Sequence, residues 1–166
     1  MGLLLVYTGN GKGKTTAALG LVLRASGHGL KSIIAHLMKT PYYRSSTVGE
    51  REAITTRLGD LVEEYFMDPL MLRNPRLVLH HAIQRSIEVK PFLLVLDEAN
   101  NSIKNGLLST SELLDALNSV PNETNIVVTG RGAPQELLDK ADLVTEMREV
   151  KHYYDKGFIG LMGLEW

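Results

Sequence analysis

Thr8-Gly9-Asn10-Gly11-Lys12-Gly13-Lys14-Thr15-Thr16 brings glycines, lysines and hydroxyls together directly after an apolar run. Such a stretch suits the binding of phosphate groups. Phosphate oxygens need many donors in little space, and glycines let the backbone curl so that its N–H groups point inward. A helix beginning near Lys14 adds unpaired N–H groups and the positive end of its dipole. Lys14 supplies a mobile cation, and the Thr15 hydroxyl can ligate Mg²⁺. The pattern departs from the usual nucleotide loop, which has four residues between its first glycine and Gly-Lys-Ser/Thr. Counting back from Lys14 puts Thr8 in that first place. With Gly9 in the role the loop is one residue shorter, which predicts a different grip on polyphosphate. Lys12 lies within the loop and either assists or faces water.

Two more polar clusters follow apolar runs. Residues 93–96 lead into Asp97-Glu98, and carboxylates beside a phosphate loop hold Mg²⁺ directly or through water. Glu98 can alternatively serve as a general base, or both carboxylates can simply solvate a strand end. Arg131, between Gly130 and Gly132, is placed to neutralise a leaving polyphosphate, or else is a surface arginine. Other residues point to packing. His80 and His81, being adjacent, do not share a helix face, and are expected to be one exposed and one partly buried. Met67, Met71 and Leu72 read as core, and Trp166 as a packing anchor. Tyr42 and Tyr43 sit in a polar stretch, where an exposed loop is favoured over closure on a ligand.

The elements that must position these groups alternate along the chain. Apolar runs at residues 3–7, 32–38, 92–96, 125–128 and 143–147 predict buried strands, with a further short strand at 62–66. Helical patterns cover 15–25, 75–89, 111–117 and 134–140, with another helix between 50 and 62. Residues 39–50 lack periodicity and read as an exposed loop, and the tail from 151 to 166 is turn-rich. Alternating strands and helices imply a mainly parallel central sheet in a three-layer α/β domain of the P-loop, RecA-like kind, one domain over 1–166. Ligands of such sheets bind at the carboxyl ends of the strands, where residues 8–16, 97–98 and 129–132 fall.

Composition is that of an ordinary globular domain, with a net charge of −1 and no cysteine. It gives no electrostatic reason to expect nucleic acid or an anionic membrane as partner, and it excludes thiolate metal sites and disulfides. No apolar stretch approaches the length of a membrane span, and no signal-peptide pattern precedes the first strand, so a cytoplasmic protein is expected.

Taken together, the motifs resemble the ATP:corrinoid adenosyltransferases that act on cob(I)alamin. The resemblance runs through residues 7–18 including the short loop, then 24–29, then Thr129-Gly130-Arg131-Gly132-Ala133-Pro134, residues 141–147, Val150-Lys151-His152 and the tail 157–165. It implies that a reduced Co(I) corrinoid attacks the ribose 5′ carbon of ATP and that the whole triphosphate leaves, lying reversed in the P-loop. Gly9, Asn10, Gly11, Lys12, Gly13, Lys14, Thr15 and Thr16 would cradle it. Thr15, Glu98 and Asp97 would hold Mg²⁺, and Lys14, Glu98 and Arg131 would serve the chemistry. The resemblance also implies a homodimer and a reduced flavoprotein as electron donor. Two features differ from the family pattern. The chain starts at the first strand, without the extra N-terminal segment that members often carry. It also lacks the mid-chain Phe-x-Trp segment, so Phe66, Tyr65 and Met67 are the nearest substitutes for an aromatic wedge under the corrin. The alternatives are a P-loop ATPase or kinase, and a non-catalytic ATP- or corrinoid-binding relative.

Overall fold

The structure is a computed structural model that describes residues 2–68 and 70–166. Strand β1 (Leu4–Thr8) feeds the glycine loop and helix α1 (Lys14–Gly27), and β2 (Ser32–His36) follows. A small antiparallel hairpin, β3 (Tyr42–Tyr43) and β4 (Ser46–Thr47), precedes α2 (Gly49–Ala53), and the chain then winds through tighter and wider helical turns. Next come β5 (Val62–Phe66), α3 (Pro75–Val89), β6 (Leu93–Asp97), α4 (Ala99–Lys104), α5 (Thr110–Asn118), β7 (Asn125–Thr129), α6 (Gln135–Lys140) and β8 (Leu143–Glu146).

The central sheet has the order β5-β2-β6-β7-β1-β8, and every pair in it is parallel. A strand, β7, therefore stands between the strand of the glycine loop and the strand of the carboxylates. Successive strand residues point to opposite faces. Ile33, Leu94 and Leu96 pack with Val78, Ala82, Leu113 and Leu137 from α3, α5 and α6, whereas Ile34 and Val95 pack with Ala18 and Val22 from α1. Both faces are covered, which is why these strands read as continuous apolar runs. Helix α3 spans the residues expected of it. The Asn74 side chain accepts from the Leu77 N–H, Pro75 opens the first turn, and Lys90 ends the helix in a left-handed conformation.

Several expectations need correction. Residues 39–50 are not a featureless exposed loop: they contain the hairpin, and Val48 is buried. Helix α4 was not expected, because its inward residues Asn100 and Ser102 are polar and give no apolar stripe. His80 and His81 are both exposed, His81 lying edge-on to the Tyr65 ring. Met67 and Leu72 do pack on the core, but Met71 is 77% exposed. Phe66 is buried, with its ring stacked on His36 at 4.3 Å, so it is not available as a wedge at the surface.

Candidate functional site

The carboxyl ends of β2, β6, β7 and β1 meet at one edge of the sheet. Register places His36 opposite both Asp97 and Phe66, and β7 ends at Thr129 beside β1. A cleft of about 910 Å³ opens there, with Gly11, Lys12, Gly13, Lys14, Thr15 and Thr16 on one side and Glu98 and Arg131 beside them. The sequence-predicted groups therefore converge, except for Gly9, Asn10 and Asp97, which are not part of the cleft wall.

The glycines divide their work. The Gly11 N–H donates to the Met147 carbonyl at 2.7 Å, so it is not turned toward a phosphate. A side chain at Gly9 or Gly11 would collide with the backbone of Met147 and Arg148, which pass close behind the loop. Gly13, at φ 115°, is the glycine whose conformation opens α1 on the cleft. Two of the three glycines are thus demanded by the close approach of a distant segment, and one by the helix start. The Lys14 ammonium reaches back to donate to the Gly9 and Gly11 carbonyls at 2.8 and 2.6 Å. Burial, and then the nearby Arg131 cation, lower the Lys14 pKa.

Asp97 is fully buried and saturated. Its Oδ1 accepts from the hydroxyls of Thr15 at 2.8 Å and Thr129 at 2.7 Å, while its Oδ2 accepts from Lys39 and His36, both at 2.9 Å. That uses the lone pairs a carboxylate offers. Burial alone would raise its pKa, but the His36 hydrogen bond and the Lys39 charge hold the carboxyl well below the usual range. His36 lies between two carboxylates, with Nδ1 on Asp97 and Nε2 on Glu64 at 3.0 Å. Burial opposes its protonation, yet these two hydrogen bonds raise its pKa, which favours an imidazolium donating from both nitrogens. Lys39 is raised as well: burial lowers it, but Asp97 and Glu98 outweigh burial. A buried chain Glu64–His36–Asp97–Thr15 therefore runs from β5 to the glycine loop.

Glu98 differs from its neighbour. It adopts a left-handed conformation, φ 60°, that turns it off the strand end to face the cleft, and its N–H donates to Thr129 Oγ1. Burial, and secondarily the Asp97 charge, push its carboxyl up against the pull of Lys39. Arg131 is exposed, and its N–H donates to the Asn101 side chain at 2.6 Å, which pins the 129–132 turn to α4.

The donor chemistry fits Mg²⁺. That ion takes one or two protein oxygens and completes its shell with water and phosphate oxygens. Among the described residues no three His, Asp or Glu side chains form a cage of their own. Thr15 directs its proton to Asp97 and accepts from Lys39 at 3.4 Å, which leaves one hydroxyl lone pair for a metal, and among the described residues no cation is paired with the cleft-facing Glu98 carboxylate.

Sequence reasoning missed His36, Lys39 and Glu64, and it placed Thr129 in the 129–132 cluster without giving it a role. The available signal was charged or hydrogen-bonding residues at the carboxyl ends of apolar runs, but partners across strands follow from register, which one sequence does not display.

Comparison with known proteins agrees with this geometry. A family model described as ATP:corrinoid adenosyltransferase BtuR/CobO/CobP matches residues 1–166. The chain is 31% identical over 172 residues to a corrinoid adenosyltransferase of Escherichia coli (strain K12), covering 99% of this chain and 86% of that one. It is 34% identical over 175 residues to one from Pseudomonas aeruginosa, covering 99% and 84%. Among solved structures, the flagellar accessory protein FlaH of Methanocaldococcus jannaschii superposes with a TM-score of 0.62 at 13% identity. It covers 87% of this chain and 70% of that chain, a likeness of fold.

Proposed function

The chain belongs to the ATP:corrinoid adenosyltransferase family, and we propose that it moves the 5′-deoxyadenosyl group of Mg-ATP onto the Co(I) centre of a reduced corrinoid, releasing tripolyphosphate. The observation that carries this reading is one cleft holding Lys14, Thr15, Glu98 and Arg131 in a family member that needs no proton-removing group. The cobalt lone pair forms the Co–C5′ bond as the C5′–O bond breaks. The electrons of that bond leave with tripolyphosphate, and cobalt passes formally from Co(I) to Co(III). The protein's task is then to orient C5′ and to stabilise a multiply charged leaving group.

In this reading the N–H groups of the loop from Lys12 to Thr16 cradle the triphosphate, while Gly9, Asn10 and Gly11 shape the loop from behind. Lys14 exchanges its carbonyl partners for phosphate oxygens, and Arg131 meets the charge that builds on the departing end. Thr15 and Glu98 would hold Mg²⁺, which would neutralise phosphate charge when bound. Asp97, expected as a direct ligand, would instead orient the Thr15 hydroxyl, because its own oxygens are already taken. The Co(I) state is supplied by a reductant such as a reduced flavoprotein, and two copies of the chain associate as a homodimer.

The test is anaerobic incubation of the protein with Mg-ATP and chemically reduced cobalamin. The visible spectrum of adenosylcobalamin and an equal amount of tripolyphosphate are expected. Formation of ADP instead would point to Glu98 activating water, and unchanged ATP to a binding protein.

A further inference from the structure

One wall of the cleft is made by the end of the chain. Ile159, Leu164 and Trp166 line the same 910 Å³ space as Lys14 and Thr15. Ile159 is 55% and Leu164 62% exposed, large apolar side chains beside a site for polyanions. Phosphate oxygens have no use for such a surface. The volume lies near the top of the roughly 300–1,000 Å³ range of small-molecule sites, which leaves room beyond a nucleotide.

This wall has little regular structure, yet its shape is fixed. The Trp166 indole N–H donates to the Gly160 carbonyl at 2.9 Å, closing a loop of the tail. Its ring lies 5.3 Å from the Tyr43 ring, which joins the tail to the β3–β4 hairpin. Gly160, at φ 63°, leaves the space that Tyr43 fills, and a Cβ there would strike the tyrosine ring. Glu165 accepts from the Tyr153 hydroxyl at 2.8 Å and from the Leu161 N–H at 2.9 Å.

Resting on the adenosyltransferase reading, we propose that the tail 152–166, with the hairpin, is the seat of the corrin ring, and that Trp166 is the residue that holds its shape. A corrin is a broad macrocycle with methyl-bearing faces and a rim of carboxamides. Its faces match the Ile159 and Leu164 surface. Its rim needs donors and acceptors, which Glu50, Asn101 and His152 supply from the same cleft. The seat also answers the lack of a mid-chain tryptophan: the aromatic wall comes from the single tryptophan of the chain, at the far end of the sequence.

The experiment compares the intact protein with Trp166→Ala and with the double variant Ile159→Ser/Leu164→Ser, whose exposed sites should not burden folding. Binding of cob(II)alamin in the presence of Mg-ATP is measured by equilibrium dialysis, ATP affinity by calorimetry, and KM and kcat with reduced cobalamin. Corrinoid binding should weaken and corrinoid KM rise by roughly tenfold or more in both variants, with kcat and ATP affinity within about twofold. Trp166→Phe, which keeps a ring but loses the indole donor, should fall between. Unchanged corrinoid binding in the double variant overturns the proposal, and so does an equal loss of ATP affinity, which would give the wall to the nucleotide. A parent protein that binds the corrinoid but makes no adenosylcobalamin overturns the reaction and leaves the seat to be decided by the binding data. A parent that binds no corrinoid overturns both.

Discussion

The glycine-loop side of the cleft is fixed by buried hydrogen bonds between strand ends, whereas the tail side is fixed by ring contacts and short turns close to water. On the first side Asp97 alone joins β6 to α1, β7, β2 and the segment after β2, with no atom exposed. On the second side Tyr154 and Ile159 remain exposed and Tyr153 half-buried even though their backbone is placed. Charge must be met by dipoles that do not move, so its binding wall is part of the sheet. A large, mostly apolar partner is satisfied by shape, which exposed turns can provide.

If that contrast is right, the largest effect belongs to Asp97→Ala. It leaves the buried His36 and the half-buried Lys39 without their shared partner, which costs about 3–5 kcal/mol. For a chain of this length the Tm should fall by roughly 10 °C or more. A fall of only a degree or two would show that the buried chain does not hold the strand ends together. Next is Lys14→Ala, expected to weaken Mg-ATP binding roughly 100-fold by calorimetry while the Tm moves by no more than a few degrees. Unchanged affinity would remove the phosphate-loop assignment. The smallest effect is expected from Tyr153→Phe in the tail. It deletes the hydroxyl that bonds Glu165, and the Tm should stay within about 1 °C. A large drop would mean that the tail is as integral to the fold as the sheet, and the contrast between the walls would fail.

The legible parts of the sequence were those governed by local rules. Residues 4–8, 93–97 and 125–129 declare themselves as apolar runs, and α3 declares both its start at Asn74-Pro75 and its length. The phosphate loop was legible from composition, but the purpose of Gly9 and Gly11 was not. The atoms that forbid a side chain there belong to Met147 and Arg148, more than 130 residues away. His36 and Glu64 were passed over for the same reason. Each looks like a polar residue near a strand end until β2 is seated between β5 and β6. Trp166 was read as an anchor, and it does pack on Tyr43. That it also faces the cleft depends on a chain path through turns, where no periodicity announces direction.

Gly160 sets a rule for the tail that concerns register. Tyr43 occupies the volume where any other residue would place its Cβ, and Trp166 returns to the carbonyl of that same glycine six positions later. Sliding the chain by one residue would drive Ile159 or Leu161 into the tyrosine ring and carry the indole away from its acceptor. Substitutions at Met162 or Leu164, whose side chains stand mostly in solvent, leave that spacing intact. The tail therefore tolerates changes of side chain and resists changes of length. Variants that alter the seat while keeping the six-residue interval from Gly160 to Trp166 can retune what it accepts without loosening the closure.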